Sequence, residues 1–191
     1  MVHLRNIIFV IINCAIAALF AVSCGEVGWY VMKVKKNGQT GEASIGLWKS
    51  CVSVASVKVC FDLPEEALSD SMEAIRGCSV IATGISIVVL LFACTATAVS
   101  ERKVKYAGYG MLLACTLSVA AGVLFFEEMS DYDLDFDDHH YGWAYILNWI
   151  GAGSALVSVF FACYLSAADE DYDLERTISN TITNYDRLNT A

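Results

Sequence analysis

Charge is scarce in this chain and proline nearly absent. Only 17% of the 191 residues are charged, against about a quarter in soluble domains, and Pro64 is the single proline. With 57% hydrophobic residues, water is not the main solvent. Asp, Glu, Lys and Arg are missing altogether from four stretches, 7–24, 77–100, 106–126 and 141–168. Each is long enough to cross the roughly 30 Å hydrocarbon core as a helix, which satisfies its own backbone hydrogen bonds where lipid cannot. Pro64 lies outside all four. The absence of intramembrane charge also argues against a substrate pathway through the spans. Catalysis finds little support either. No Ser, His and acid arrangement, Gly-rich phosphate loop or Cys–His pair stands out, and no cofactor is implied.

These blocks divide the chain into an N-terminus (1–6), four spans (7–25, 77–100, 106–126 and 141–168), a first outer loop (26–76), a short inner loop (101–105), an acidic second outer loop (127–140) and a tail (169–191). Arg5 before an apolar run that ends in small residues resembles a cleavable signal. The run is at spanning length, so an uncleaved signal anchor is expected. Arg5 and the segment Glu101-Arg102-Lys103-Val104-Lys105 read as cytoplasmic by the positive-inside rule, which puts both termini inside. The 26–76 loop also carries basic residues, but a loop of that length translocates regardless of charge.

The net charge of −9 is uneven, with seven acids crowded into 127–140 and a net negative tail. Nucleic acid is therefore not an expected partner, since neither segment attracts phosphate. The tail is polar and acidic, a composition that reads as disordered. Its Arg176-Thr177-Ile178-Ser179 is a weak phosphorylation candidate.

Six of the eight cysteines lie in or beside the spans, where a thiol is usually a small apolar packer. Cys51 and Cys60 alone belong to the first outer loop. A tight hairpin turning at Ala55-Ser56 sets Val54 against Val57, Ser53 against Lys58, Val52 against Val59 and Cys51 against Cys60. All four valines then share one face. An oxidising compartment would allow the two cysteines to pair, stabilising the loop by about 2 to 3 kcal/mol. The alternatives are reduced thiols or a metal pair, although no further ligand stands nearby at zinc spacing.

The stretch from Trp29 to Lys36 is aromatic and β-branched, residues 37–41 supply turn chemistry, and 43–49 continue toward the hairpin. Pro64-Glu65-Glu66 reads as a helix start, carried on by Ala67, Leu68, Met72 and Ile75. Within the spans, Gly110 with Ala114, Ser118 with Gly122, and Gly151 with Ala155 permit close helix approach. Asn13 and Asn148 are candidates for bonds across helices.

In the second outer loop Asp131, Asp133, Asp135 and Asp137 alternate with Tyr132, Leu134 and Phe136. Period-two alternation predicts a strand with four carboxylates on one face. Neighbouring carboxylates would stand about 6.6 Å apart, too far to share a calcium ion, and Phe136 occupies the place of the glycine an EF-hand turn needs. A site at His139-His140 has no better support, so no metal is expected. The favoured reading is an acidic strand beside Lys33 and Lys35, attracting cations and repelling anions; the alternative is a solvated loop.

Trp29, then Gly46-Leu47-Trp48, then Cys51 and Cys60, resembles the first-loop signature of the claudin and peripheral myelin protein superfamily. Leu63-Pro64 and Glu73-Ala74-Ile75-Arg76 resemble the claudin stretch before the second helix, including its arginine. The segment from Tyr141 to Trp149 looks closer to the epithelial membrane protein branch. The resemblance implies a left-handed bundle of four transmembrane helices topped by a small extracellular antiparallel β-sheet, to which the second loop adds a strand. It further implies residence in the plasma membrane at cell–cell junctions, and assembly with like chains side by side and across cells. By resemblance Trp48 anchors the sheet at the membrane surface, Arg76 pairs an acid or caps loop carbonyls, and Cys94 and Cys163 are palmitoylation candidates. Two departures stand out: the second loop lacks the claudin-type Asn-Pro motif, and the C-terminus lacks a Tyr-Val ending for PDZ scaffolds. Auxiliary subunits of channels and receptors share the Gly-Leu-Trp-x-x-Cys core, which keeps a channel or receptor among the partners to consider. They usually carry a glycosylation site in the first loop, and this loop has none.

Overall fold

The computed structural model describes residues 2–36, 39–54, 57–64, 69–99, 104–130 and 139–189. Four helices, α1 (Val2–Gly25), α2 (Asp70–Val99), α3 (Val104–Ser130) and α4 (Trp143–Asn189), carry strands β1 (Tyr30–Lys36), β2 (Gln39–Ile45), β3 (Lys49–Val54), β4 (Val57–Asp62) and β5 (His139–Tyr141). Within them Ile7–Gly25, Asp70–Thr95, Val104–Ser130 and Trp143–Ala167 are long and apolar enough to cross a membrane. The chain is a membrane protein of four transmembrane helices with a five-stranded antiparallel sheet at one end.

The helices form a closed ring, with α1 and α3 each packing against both α2 and α4. Their outward surfaces expose Ile11, Leu91, Leu113 and Phe160, as lipid requires. Inside, Phe9, Ile16, Phe20 and Met111 pack among Ala114, Ala152 and Ala155. Small residues let the backbones close up: a Cβ on Gly110 would lie 2.5 Å from Val89, and one on Gly151 would lie 2.7 Å from the Phe20 ring. Both intramembrane asparagines bond between helices. Asn148 Nδ2 donates to the Ser118 carbonyl at 3.0 Å while Ser118 Oγ donates to Asn148 Oδ1 at 2.9 Å, joining α4 to α3. Ser158 Oγ donates to Asn13 Oδ1 at 3.3 Å, joining α4 to α1, and Asn13 Nδ2 is satisfied by the Phe9 carbonyl.

The sheet runs β4-β3-β2-β1-β5. The β3–β4 register pairs Cys51 with Cys60, Val52 with Val59, Ser53 with Lys58 and Val54 with Val57, as the valine alternation predicts. The two cysteines are bonded.

Helix α2 runs from Asp70, where Ser69 caps it: the Met72 amide donates to Ser69 Oγ at 3.2 Å, and Asp70 and Glu73 favour the positive helix start, so Met72 and Ile75 belong to this helix. The helix start expected at Pro64-Glu65-Glu66 falls on residues 65–68, which lie outside those described. Two expectations are corrected. The fourth helix begins at Trp143, since His139–Tyr141 form a strand against Tyr30–Met32. The tail, expected to be disordered, continues α4 to Asn189. Residues 168–189 contain neither glycine nor proline, so nothing in the sequence stops a helix already nucleated in the span. The predicted acidic strand, with Asp131, Asp133, Asp135 and Asp137, lies outside the described residues.

Candidate functional site: the sheet and its junction with the bundle

The chain leaves α1 at Gly25 and must turn at once into β1, so the joint depends on close backbone contacts. Gly46, between β2 and β3, sits where a Cβ would fall 2.7 Å from both the Glu26 carbonyl oxygen and the Val27 Cα. Any side chain there would push the sheet off the end of α1. At the far edge of β1, Gly142 is tighter still: its Cβ would lie 2.1 Å from the Gly28 carbonyl oxygen. Two backbone bonds close this second joint, Gly142 N–H to the Trp29 carbonyl and Ala144 N–H to the Gly28 carbonyl, both 2.9 Å. Ser23 Oγ adds a third tie, donating to the Ala144 carbonyl at 2.8 Å.

Trp29 fills the space beneath. Its ring is fully buried, meeting Phe125 edge-on at 4.9 Å and Tyr145 at 5.9 Å, and Nε1 donates to the Ser23 carbonyl at 2.7 Å. That carbonyl belongs to the last turn of α1, where helical partners run out, so the tryptophan also serves as a C-cap. Leu47, Ile75 and Met72 complete the cluster.

Trp48 and Arg76 form the outer clasp. Trp48 Nε1 donates to the Cys24 carbonyl at 2.8 Å, holding β3 to α1. The Arg76 guanidinium lies 5.1 Å from the Trp48 ring centre, and its Nε–H donates to the Leu47 carbonyl. One side chain of α2 thereby holds both residues of the Leu47-Trp48 step, by charge on an aromatic face and by a charge-assisted bond. Arg76 caps a loop carbonyl, and no acid pairs with it among the described residues. Its Nη2 is buried without a hydrogen-bond partner among those residues.

The structure thus brings Trp29, Gly46, Leu47, Trp48, Arg76 and the Cys51–Cys60 bridge into one unit. Lys33 is exposed opposite Glu42, and Lys35 lies opposite Thr40 in the same ladder. By alternation Lys33 shares its sheet face with Glu42, Ser53 and Lys58, so that face is of mixed charge. His139 and His140 point to opposite faces of β5. No group of three His, Cys, Asp or Glu able to hold a metal occurs among the described residues. Cys94 and Cys163 are exposed thiols toward the opposite end of the bundle.

Gly28, Gly142 and Ser23 are the residues that sequence reasoning missed. The only hint was a glycine before a tryptophan twice over, Gly28-Trp29 and Gly142-Trp143.

A profile of the PMP-22/EMP/MP20/Claudin family matches residues 1–161. Epithelial membrane protein 1 of Homo sapiens is 27% identical over 145 residues, spanning 75% of this chain and 84% of the relative. The Pongo abelii protein of the same name matches to the same extent.

Proposed function

We propose, from the premise that the chain belongs to the PMP-22/EMP/MP20/Claudin family, that it acts by assembly at cell–cell contacts and performs no chemistry of its own. Its role is to contribute to an epithelial barrier and to paracellular permeability, through association with like or related chains in one membrane and across the intercellular gap. The sheet faces outward and both termini are cytoplasmic, in keeping with the basic 101–105 loop. The observation that carries this reading is the rigid mounting of the sheet: backbone bonds at Gly142 and Ala144, the Trp48–Arg76 clasp and the disulfide present it as a fixed surface. A surface tied to the bundle at several points suits repeated assembly, because little conformational freedom is lost on contact.

Asp131, Asp133, Asp135 and Asp137 supply the charge selectivity in this reading, with Lys33 and Lys35 on the neighbouring strand. Seven acids within 127–140 raise the local cation concentration over a screening length of about 8 to 10 Å. Replacing the four aspartates with asparagine should lower the sodium-to-chloride permeability ratio of an expressing epithelial monolayer at low ionic strength. An unchanged ratio, with the variant still at cell contacts, would remove this face from the path. Acylation of Cys94 and Cys163, both exposed, would reinforce membrane residence.

A second reading is an auxiliary subunit of an ion channel or receptor, or a myelin-protein-like membrane organiser, the family being shared with epithelial membrane protein 1. Freeze-fracture of cells expressing the chain decides between them. Strands at cell contacts support the first reading; particles without strands, together with stoichiometric co-purification of a pore-forming protein, support the second.

A further inference from the structure

At the end of the bundle away from the sheet, α3 and α4 enclose a groove of about 290 Å³. Small residues make its floor. A Cβ on Gly108 would lie 3.1 Å from the Ala162 Cβ, so the helices touch there, while Tyr109 and Cys163 stand exposed as the walls on either side. The two helices run in opposite directions, which grades the groove in polarity. Leu112 and Val159 line it toward the membrane centre, and Lys105 and Ser166 line its mouth beside Ala167, where the apolar span ends. Helix α4 then continues, and its next turn brings Asp169 and Glu170. The mouth thus has an exposed cation on its α3 side and two acids next along α4, above an apolar slot.

We infer that this groove binds one phosphatidylethanolamine molecule of the adjoining leaflet, the cytoplasmic one in the orientation above. An acyl chain lies over Gly108 and Ala162 toward Leu112 and Val159, the phosphate meets Lys105 and the Ser166 hydroxyl, and the ammonium is drawn to the acids that follow Ala167. The volume suits part of one lipid, since pockets that enclose a whole small molecule run from about 300 to 1,000 Å³. Charge complementarity selects the occupant. A sterol brings one hydroxyl and nothing for either charge. Phosphatidylglycerol satisfies the lysine but is repelled by Asp169 and Glu170. Phosphatidylcholine carries both charges, yet its quaternary ammonium has no N–H to donate to a carboxylate, whereas the ethanolamine ammonium forms charge-assisted hydrogen bonds. A partner helix needs an apolar stripe along its whole contact, and here the stripe stops at the charged mouth. The site does not depend on assembly at cell contacts.

The Cys163 thiol, in the wall of the groove, reports its occupancy, and Cys94, an exposed thiol of α2 toward the same end, reports the bilayer alone. The full-length chain, cleared of thioesters with hydroxylamine, is placed in vesicles of phosphatidylcholine alone or mixed equally with phosphatidylethanolamine of the same acyl chains. Alkylation by N-ethylmaleimide is then followed at each cysteine by peptide mass. Phosphatidylethanolamine should slow Cys163 about fivefold, the protection given by a ligand at about four times its dissociation constant, and leave Cys94 unchanged. Phosphatidylglycerol or cholesterol in its place should slow Cys163 by less than about twofold. Lys105→Gln should lose the protection and Lys105→Arg, which keeps the cation, should retain it. Asp169→Asn with Glu170→Gln should erase the preference over phosphatidylglycerol. Absence of protection by phosphatidylethanolamine, equal protection by phosphatidylglycerol or cholesterol, a parallel slowing of Cys94, or full protection in Lys105→Gln would each overturn the site.

Discussion

Gly142→Ala should be among the most damaging single-methyl changes this chain can suffer. The added Cβ would lie 2.1 Å from the Gly28 carbonyl oxygen, and its next neighbours, the Gly28 carbonyl carbon and Cα at 2.7 and 3.3 Å, are also backbone. No side chain can swing aside, so the segment Gly142–Ala144 must withdraw from β1 by about 1 Å to restore ordinary contact. The two 2.9 Å bonds that close the joint would then lengthen beyond useful hydrogen-bonding distance. At about 0.5 to 1.5 kcal/mol each they account for about 1 to 3 kcal/mol. The Trp29 ring, held between Phe125 and Tyr145, loses packing as Tyr145 moves with the start of α4, so a total near 3 to 4 kcal/mol is expected. For a chain of this size that is a fall in Tm of about 6 to 16 °C. Gly153→Ala is the control, since no atom lies within 4 Å of its added Cβ. The measurement is thermal unfolding of both purified variants in one detergent. A Gly142→Ala protein that melts within a degree of wild type, or together with Gly153→Ala, would refute the steric account of the joint.

Cys51→Ser or Cys60→Ser should abolish surface delivery by opening the edge hairpin, while Cys115→Ser, whose thiol donates to the Ala152 carbonyl at 3.4 Å, keeps a donor in place and should reach the surface; surface biotinylation distinguishes them. Arg76→Ala removes a cation–π contact and a loop cap together and should destabilise by about 2 kcal/mol, Trp48→Ala by a similar amount, and Lys58→Ala by less than 0.5 kcal/mol, compared by detergent melting. Ser118→Ala leaves Asn148 short of a partner within the membrane and should cost about 0.6 to 1.7 kcal/mol, whereas Thr116→Ala, on an exposed position of the same helix, should cost little.

How much of this was legible depended on the range of the contacts. The β3–β4 hairpin could be read residue by residue because its partners are close in sequence and its valines alternate about two cysteines. The four spans were equally plain, since lipid demands unbroken apolar runs. The start of α2 was not legible because Ser69 shows itself as its cap only through the bond from the Met72 amide to Ser69 Oγ. That the second loop adds a strand to the sheet followed from the resemblance, but its place at His139–Tyr141 was not legible, because three residues are too few to show a period and are made a strand by β1, more than a hundred residues earlier. The Gly28–Gly142 contact is of the same kind. The clasp was half visible: Trp48 and Arg76 stood out by resemblance, but that the arginine covers that tryptophan and caps Leu47 is a matter of three-dimensional placement.

Helix α4, at 47 residues, is about 70 Å long, more than twice the roughly 30 Å needed to cross the hydrocarbon core. The surplus beyond Ala167 is a stiff mast on the side of the membrane away from the sheet. Anything tethered at Asn189 is held at a set standoff, well past the distance over which salt lets it sense the charge of the lipid headgroups. The mast is also a lever whose fulcrum lies inside the bundle, where Gly151 meets the Phe20 ring. A slight tilt imposed there by a neighbour in the membrane is magnified along the mast, so crowding around the sheet could register as displacement at the opposite end of the molecule.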